Sequence, residues 1–163
     1  MRRIAVALFA ALVVAAPLRA QSAHPDFSGK WNLDVSKIEG PMAQAGITAG
    51  SMTITQTAKA IKEEQAITSA QVGAQTTTTN YNLDGTESKN TVTMGPQSLD
   101  LTSTSAWDGT TLVITTKGSI QGNDYVRTDR YNLDPTGKIL TVDAAIDVMG
   151  QSLTFKETFN KAS

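Results

Sequence analysis

Residues 123–133 read Asn-Asp-Tyr-Val-Arg-Thr-Asp-Arg-Tyr-Asn-Leu, and several of them can donate, accept or hold charge. A strand turns successive side chains to opposite faces. Tyr125, Arg127, Asp129, Tyr131 and Leu133 then share one face, and Val126, Thr128, Arg130 and Asn132 share the other. The aromatic face is expected inside. A guanidinium or carboxylate taken out of water must be matched, so Arg127 is expected to pair with Asp129, or with Glu157 from another strand. The same residues suit a second chemistry, in which Arg127, Tyr125 and Tyr131 fix the polar end of a small amphipathic molecule inside a cavity. Glu63 and Gln65 join that interior if Ile61, Glu63, Gln65 and Ile67 face inward, and Ser103, Ser105 and Thr116 add hydroxyls.

Other chemistries find less to work with. His24 is the single histidine and lies near the N-terminus, too far out to orient a serine, so a Ser-His-Asp triad is not expected. With one histidine and no cysteine there is no transition-metal cluster, disulfide framework or thiol nucleophile to assign. Glu157 with Asp129 has the residue types of acid–base hydrolysis, but no motif sets their separation. No glycine-rich phosphate loop follows a strand and opens a helix. No catalytic residue, metal or cofactor is assigned.

The elements that must position these groups are strands. In 139–148, Leu140, Val142, Ala144, Ile146 and Val148 alternate with Thr141, Asp143, Ala145 and Asp147, the pattern of a strand with one wet face. In 151–160, Leu153, Phe155 and Phe159 face inward by the same rule, and in 99–107 so do Leu99, Leu101, Ser103, Ser105 and Trp107. Asp84-Gly85 and Asp108-Gly109 are hairpin signals, and Asp134-Pro135-Thr136-Gly137 a longer turn. Ten strands are predicted, at 27–33, 51–57, 60–67, 75–83, 88–94, 98–107, 110–117, 123–133, 138–147 and 151–160. Residues 60–67 also suit a helix by propensity; alternation favours the strand. The segment 34–50 breaks the alternation with Gly40, Pro41, Gly46 and Gly50, and a short helix is expected around Ser36–Glu39 with Ser36 as its cap. The phrase aromatic-Asn-Leu-Asp occurs at 31–34, 81–84 and 131–134, each time two residues before Ser36, Thr86 or Thr136. Little else matches between copies, so it reads as one way of ending a strand rather than as an internal repeat.

The N-terminus has a different character. Arg2 and Arg3 precede an unbroken apolar run, Ile4–Ala16, followed by Pro17 and small residues. This is the layout of a secretory signal peptide, shorter than the ~20 apolar residues of a membrane span. Residues 1–20 are expected to be removed, with cleavage as late as residue 23, leaving one domain over 24–163 that is secreted or periplasmic. The leader takes three of the 14 basic residues and none of the 15 acidic ones, so the mature chain carries a formal charge of −4. Such a surface argues against nucleic acid as a partner, and no cysteine is present to carry a lipid anchor.

Residues 26–34, Asp-Phe-Ser-Gly-Lys-Trp-Asn-Leu-Asp, resemble the opening of the calycins, which include the lipocalins and fatty-acid-binding proteins. There Gly-x-Trp marks the first strand, here Gly29-Lys30-Trp31, with Phe27 before it. The resemblance implies that Trp31 plugs one end of a barrel and that Gly29 lets the backbone pass close to another strand. Phe27–Leu33, Trp107–Thr116 and Gly137–Asp143 also resemble recurrent stretches of small secreted bacterial lipocalin-like proteins with no assigned activity. The strand count and the insertion after strand one look more like the fatty-acid-binding branch, where a helical lid fills that place. That branch ends its last strand with Arg-x-Tyr, which holds a ligand carboxylate. The matching place here is Glu157-Thr158-Phe159, an acid where the branch has its arginine.

The expectation is an all-β chain: a single up-and-down antiparallel barrel of about ten strands, calycin-like, with an irregular or partly helical insertion after the first. It is expected to be a monomer that binds a small apolar or amphipathic molecule. Two alternatives stay open, an envelope or protein-interaction module with a filled interior, and a hydrolase using interior carboxylates. A ligand cavity should exceed ~300 Å³, and an interior packed by Trp31, Trp107, Tyr131 and Phe155 would leave no such space.

Overall fold

The computed structural model describes residues 24–94, 97–120 and 122–163; the expected leader lies outside them. Ten strands follow in order: β1 (Gly29–Leu33), β2 (Ile47–Gln56), β3 (Ala60–Ser69), β4 (Gly73–Asn82), β5 (Ser88–Met94), β6 (Gln97–Asp108), β7 (Thr111–Ile120), β8 (Asn123–Leu133), β9 (Ile139–Val148) and β10 (Gln151–Lys161). They form one antiparallel sheet in the order β4-β3-β2-β1-β10-β9-β8-β7-β6-β5. The stretch with helical propensity is β3: alternation within the sheet overrides local preference.

The sheet curls until β4 and β5 lie side by side, but no backbone ladder joins them. Asp84-Gly85 therefore turns the chain without making the paired hairpin its sequence signals. Side chains close the seam instead. The Asn90 carboxamide accepts from the Asn80 amide (2.8 Å) and donates to the Asn80 carbonyl (2.9 Å). Ser88 Oγ accepts from the Asn82 amide (2.7 Å), and Ser105 Oγ donates to the Asn82 carbonyl. Asn90, Ser88 and Ser105 are all buried, so these bonds take the place of a ladder that the backbone groups would otherwise lack.

One end of the barrel is packed shut. Phe27 and Trp31 are wholly buried, and the indole Nε1 of Trp31 donates to the Phe27 carbonyl at 2.9 Å. The Phe27 ring lies parallel to Trp107 at 6.0 Å and edge-on to Tyr131 at 6.1 Å, and His24 stacks on Trp107 at 4.1 Å. Gln56 accepts from the Phe27 amide and donates to the Pro25 carbonyl, which fixes the incoming chain beneath the plug. Gly29 has φ +141°, and a Cβ there would meet Lys161 Cε at 3.0 Å. The ammonium of that lysine sits 5.1 Å from the centre of the Trp31 ring, so the close neighbour of Gly29 is a side chain of β10 rather than its backbone.

The insertion after β1 is irregular, with two short 3-10 turns at Val35–Lys37 and Pro41–Gln44 and no α-helix. Ser36 is not a cap. It lies inside the first turn and its hydroxyl donates back to Asp34 Oδ1 at 2.6 Å. The same device recurs at the other two copies of the phrase: Thr86 Oγ1 donates to Asp84, and Thr136 Oγ1 to Asp134, each at 2.6 Å. The recurring element is thus a turn in which an aspartate accepts from a hydroxyl two residues on. Inward alternation holds along β9, where Leu140, Val142 and Ala144 are buried, whereas Leu153 reaches the rim and is half exposed.

Truncating Trp31 to alanine removes the centre of the plug and is expected to cost about 3–5 kcal/mol, as for other large core aromatics. Chemical denaturation checks this; a loss under about 1 kcal/mol would mean that the end is held by other groups.

Candidate functional site

Strand β8 carries its polar residues into the barrel because its register leaves no choice. Tyr125, Arg127, Asp129 and Tyr131 alternate on the face that β9 continues with Ile146, Ala144 and Val142. Arg127 folds along its own strand onto Asp129: Nε lies 2.8 and 2.9 Å from the two carboxylate oxygens, and a terminal nitrogen 2.8 Å from Oδ1. The guanidinium lies over the Phe155 ring, 5.4 Å from its centre. Burial works against its charge, but the Asp129 carboxylate and the Tyr125 and Tyr131 phenols outweigh that and hold its pKa above the ordinary value. Burial pushes the Asp129 carboxyl up, against the pull of Arg127.

Tyr131 reaches across the interior. Its hydroxyl donates to Glu63 Oε2 at 2.8 Å, joining β8 to β3, strands that are not neighbours in the sheet. Glu63 is pushed up to about 7, first by burial and further by Asp129, with the Tyr131 hydrogen bond opposing. Tyr81 sits beside this pair, and burial followed by the Glu63 charge raises its phenol. On the wall next to Arg127, the hydroxyls of Ser103 and Thr116 bond to each other at 2.8 Å.

Glu157 is buried to 3 % exposure, in register through Val142 with Tyr131. It lies one layer below Phe155 and Asp129, and it is not the ion-pair partner of Arg127. Asp129 takes that place because it stands two residues away on the same face of the same strand, where a folded-back guanidinium reaches both its oxygens. Burial raises the Glu157 carboxyl, Arg127 opposes, and Asp129 adds to the rise. Four of the five expected ligand-contacting residues, Arg127, Tyr125, Tyr131 and Asp129, line one cavity; Glu157 lies beneath it.

The cavity has a volume of about 460 Å³ and occupies the half of the barrel away from the plug. The interior is therefore not filled by the four large aromatics: Trp31, Trp107 and Tyr131 gather at or near the closed end, and Phe155 forms part of the cavity wall. Aliphatic side chains supply much of the lining, including Ile67, Leu99, Leu101, Ile120 and Ile146, with Thr77 and Thr79 from β4. Met42 and Ala45 from the insertion, Ile47 from the start of β2 and Val72 from the β3–β4 turn also line the cavity. Thr77 and Thr79 were legible only as part of a polar strand. Their signal is the alternation Gln75, Thr77, Thr79, Tyr81, which leads to a buried aromatic.

No family model matches the chain, and no curated protein matches it. Solved structures do. Zebrafish ileal bile acid-binding protein complexed with cholic acid is 16% identical, with a TM-score of 0.57 over 83% of this chain and 98% of the other. A secretory abundant heat soluble protein from Ramazzottius varieornatus is 16% identical, with a TM-score of 0.56 over 83% and 94%. A second such protein from that organism, number 4, is 13% identical, with a TM-score of 0.51 over 84% and 95%. The chain thus has the calycin-like barrel fold that its first strand suggests.

Two outcomes follow from the buried charges. Arg127→Met leaves Asp129 buried without its partner and is expected to lower stability by about 3 kcal/mol, read from urea unfolding; an unchanged midpoint would show the pair to be dispensable. Glu63 keeps its proton up to about 7 in the folded state but only to 4.5 in an unfolded chain. Between these values the unfolded chain binds fewer protons, so stability falls as pH rises through the window, by roughly 3 kcal/mol in all, and then levels off. Glu63→Gln keeps an acceptor for Tyr131 and removes the proton. The stability difference, wild type minus variant, should fall across the window; a flat difference would mean that Glu63 ionises as it does in water.

Proposed function

We propose that the chain is exported and works outside the cytoplasm as a single-domain, monomeric carrier of a small apolar or amphipathic molecule held inside its barrel. The observation that carries this reading is the cavity of about 460 Å³, closed at one end by the Phe27–Trp31 plug and presenting a mostly apolar surface from a mixed lining of aliphatic, aromatic and polar side chains. A few polar groups converge at its floor, as in small-molecule sites generally. The cholic acid of the zebrafish structure fits the same reading, since that barrel takes an amphipathic ligand. Export rests on the Arg2-Arg3 pair and the Ile4–Ala16 run.

Native mass spectrometry of the protein from its own periplasm is the direct test; a co-purifying small molecule on a single copy of the chain, with residues 1–20 absent, is expected. A second test needs no natural ligand. A neutral phenyl-naphthylamine fluorophore should brighten saturably with one equivalent of protein. Thr77→Trp, which fills the wall, should weaken that uptake at least about tenfold while leaving the melting midpoint in place. Undiminished uptake by the variant would show that the dye binds elsewhere.

A further inference from the structure

The side chains facing the interior do not balance in charge. Glu63, Asp129 and Glu157 are buried there, and among the described residues Arg127 is the cation that faces them. Its Nε and a terminal nitrogen are spent on Asp129, which uses both oxygens in return. Of Glu63, one oxygen accepts from Tyr131, and the other has no hydrogen bond among the described residues. Glu157, 97 % buried, has neither a hydrogen bond nor an ion pair among them. Two carboxyl groups are thus without a cation. Glu63 lines the cavity and Glu157 lies one layer beneath it, close enough for its charge to raise the Glu63 carboxyl.

We propose that the cavity floor is a cation subsite, which receives the protonated amine of an amphipathic amine while Ile67, Leu101, Ile120 and Ile146 take its apolar chain. This rests on the reading of the barrel as a small-molecule carrier and names the chemistry of its ligand. An ammonium brings three donors and no acceptor. One donor meets the open oxygen of Glu63, and its charge offsets Glu63 and Glu157 together. Burial raises both carboxyls and so favours their neutral form, and a bound ammonium would favour the charged form instead. A carboxylate ligand would add a third negative charge to a floor that already holds Glu63 and Glu157, and Asp129 already takes Nε and one terminal nitrogen of Arg127. Arg127 is by this account a structural partner and not the anchor of an anion.

The test is a matched set of probes, decylamine, decanoate and decanol, displacing the naphthylamine fluorophore at a pH of about 8. There Glu63, which ionises near 7, is charged. Decylamine is expected to displace the dye at a concentration at least about tenfold below that of decanoate, with decanol between them. Glu63→Gln and Glu157→Gln should each narrow the preference for decylamine over decanol, read as the ratio of their displacing concentrations in each variant. Decanoate equal to or better than decylamine would overturn the cation subsite, as would an amine preference untouched by both variants; the carrier reading would survive either. Silence from all three probes, decanol included, would overturn the carrier reading and the subsite with it.

Discussion

A charge shut inside a protein has to be answered by another group within reach, and this constraint shapes the interior of the barrel. Strand geometry sends every second side chain inward whether it is polar or not. On β9 that rule delivers Leu140, Val142 and Ala144, which need no partners; on β8 it delivers Arg127 and Asp129, which do. Their bidentate contact, the Tyr131 strut to Glu63 and the Ser103–Thr116 hydroxyl pair are the answers that the chain supplies itself. Glu157 is the place where it supplies none among the described residues. The aliphatic groups set the size of the space, and the unanswered polar groups set what can occupy it.

That space depends on how the sheet closes. At one end closure is a matter of packing: Phe27 and Trp31 exclude water, and Gln56 holds the chain that leads into them. Around the circumference it is a matter of hydrogen bonds. Nine neighbouring pairs of strands in the sheet share backbone ladders, whereas β4 and β5 are tied by amide and hydroxyl side chains near the β4–β5 turn. Away from the plug, Met42 and Ala45 of the irregular insertion and Ile47 at the start of β2 contribute to the cavity wall.

Much of the architecture was legible in sequence because alternation is local. Leu140 to Ile146 against Thr141 to Asp147 specifies a half-wet strand without reference to anything distant, and the ten predicted strands correspond to the ten observed. Asp108-Gly109 likewise makes the tight reversal it signals. The same logic misread Asp84-Gly85, because a turn fixes direction, while pairing depends on the strands that flank it. There Asn80 and Asn82 find Asn90 and Ser88 side chains instead of a backbone. Of residues 34–50, read as irregular, 47–50 are instead the start of β2, which pairs there with β3 across a bulge, and Ser36 is no cap, since its hydroxyl serves the Asp34 turn. At the site, the inward face of β8 was visible from Tyr125 to Tyr131. Which carboxyl took Arg127 was open between two candidates, and proximity along one strand decided it. The Tyr131–Glu63 bond spans 68 residues of sequence, and no local pattern announces it.

Strands β1 and β10 are hydrogen-bonded neighbours, with the amide of Ala162 donating to the carbonyl of Lys30, so the first and last strands lie side by side. Read together with the seam, this means that the order of strands in the sheet is a cyclic shift of their order along the chain. A rearranged gene that joined the end of β10 to the start of β1 through a linker and opened the chain at Asp84-Gly85 would start at β5 and finish at β4. Every backbone ladder would be kept, and the new ends would fall where none exists.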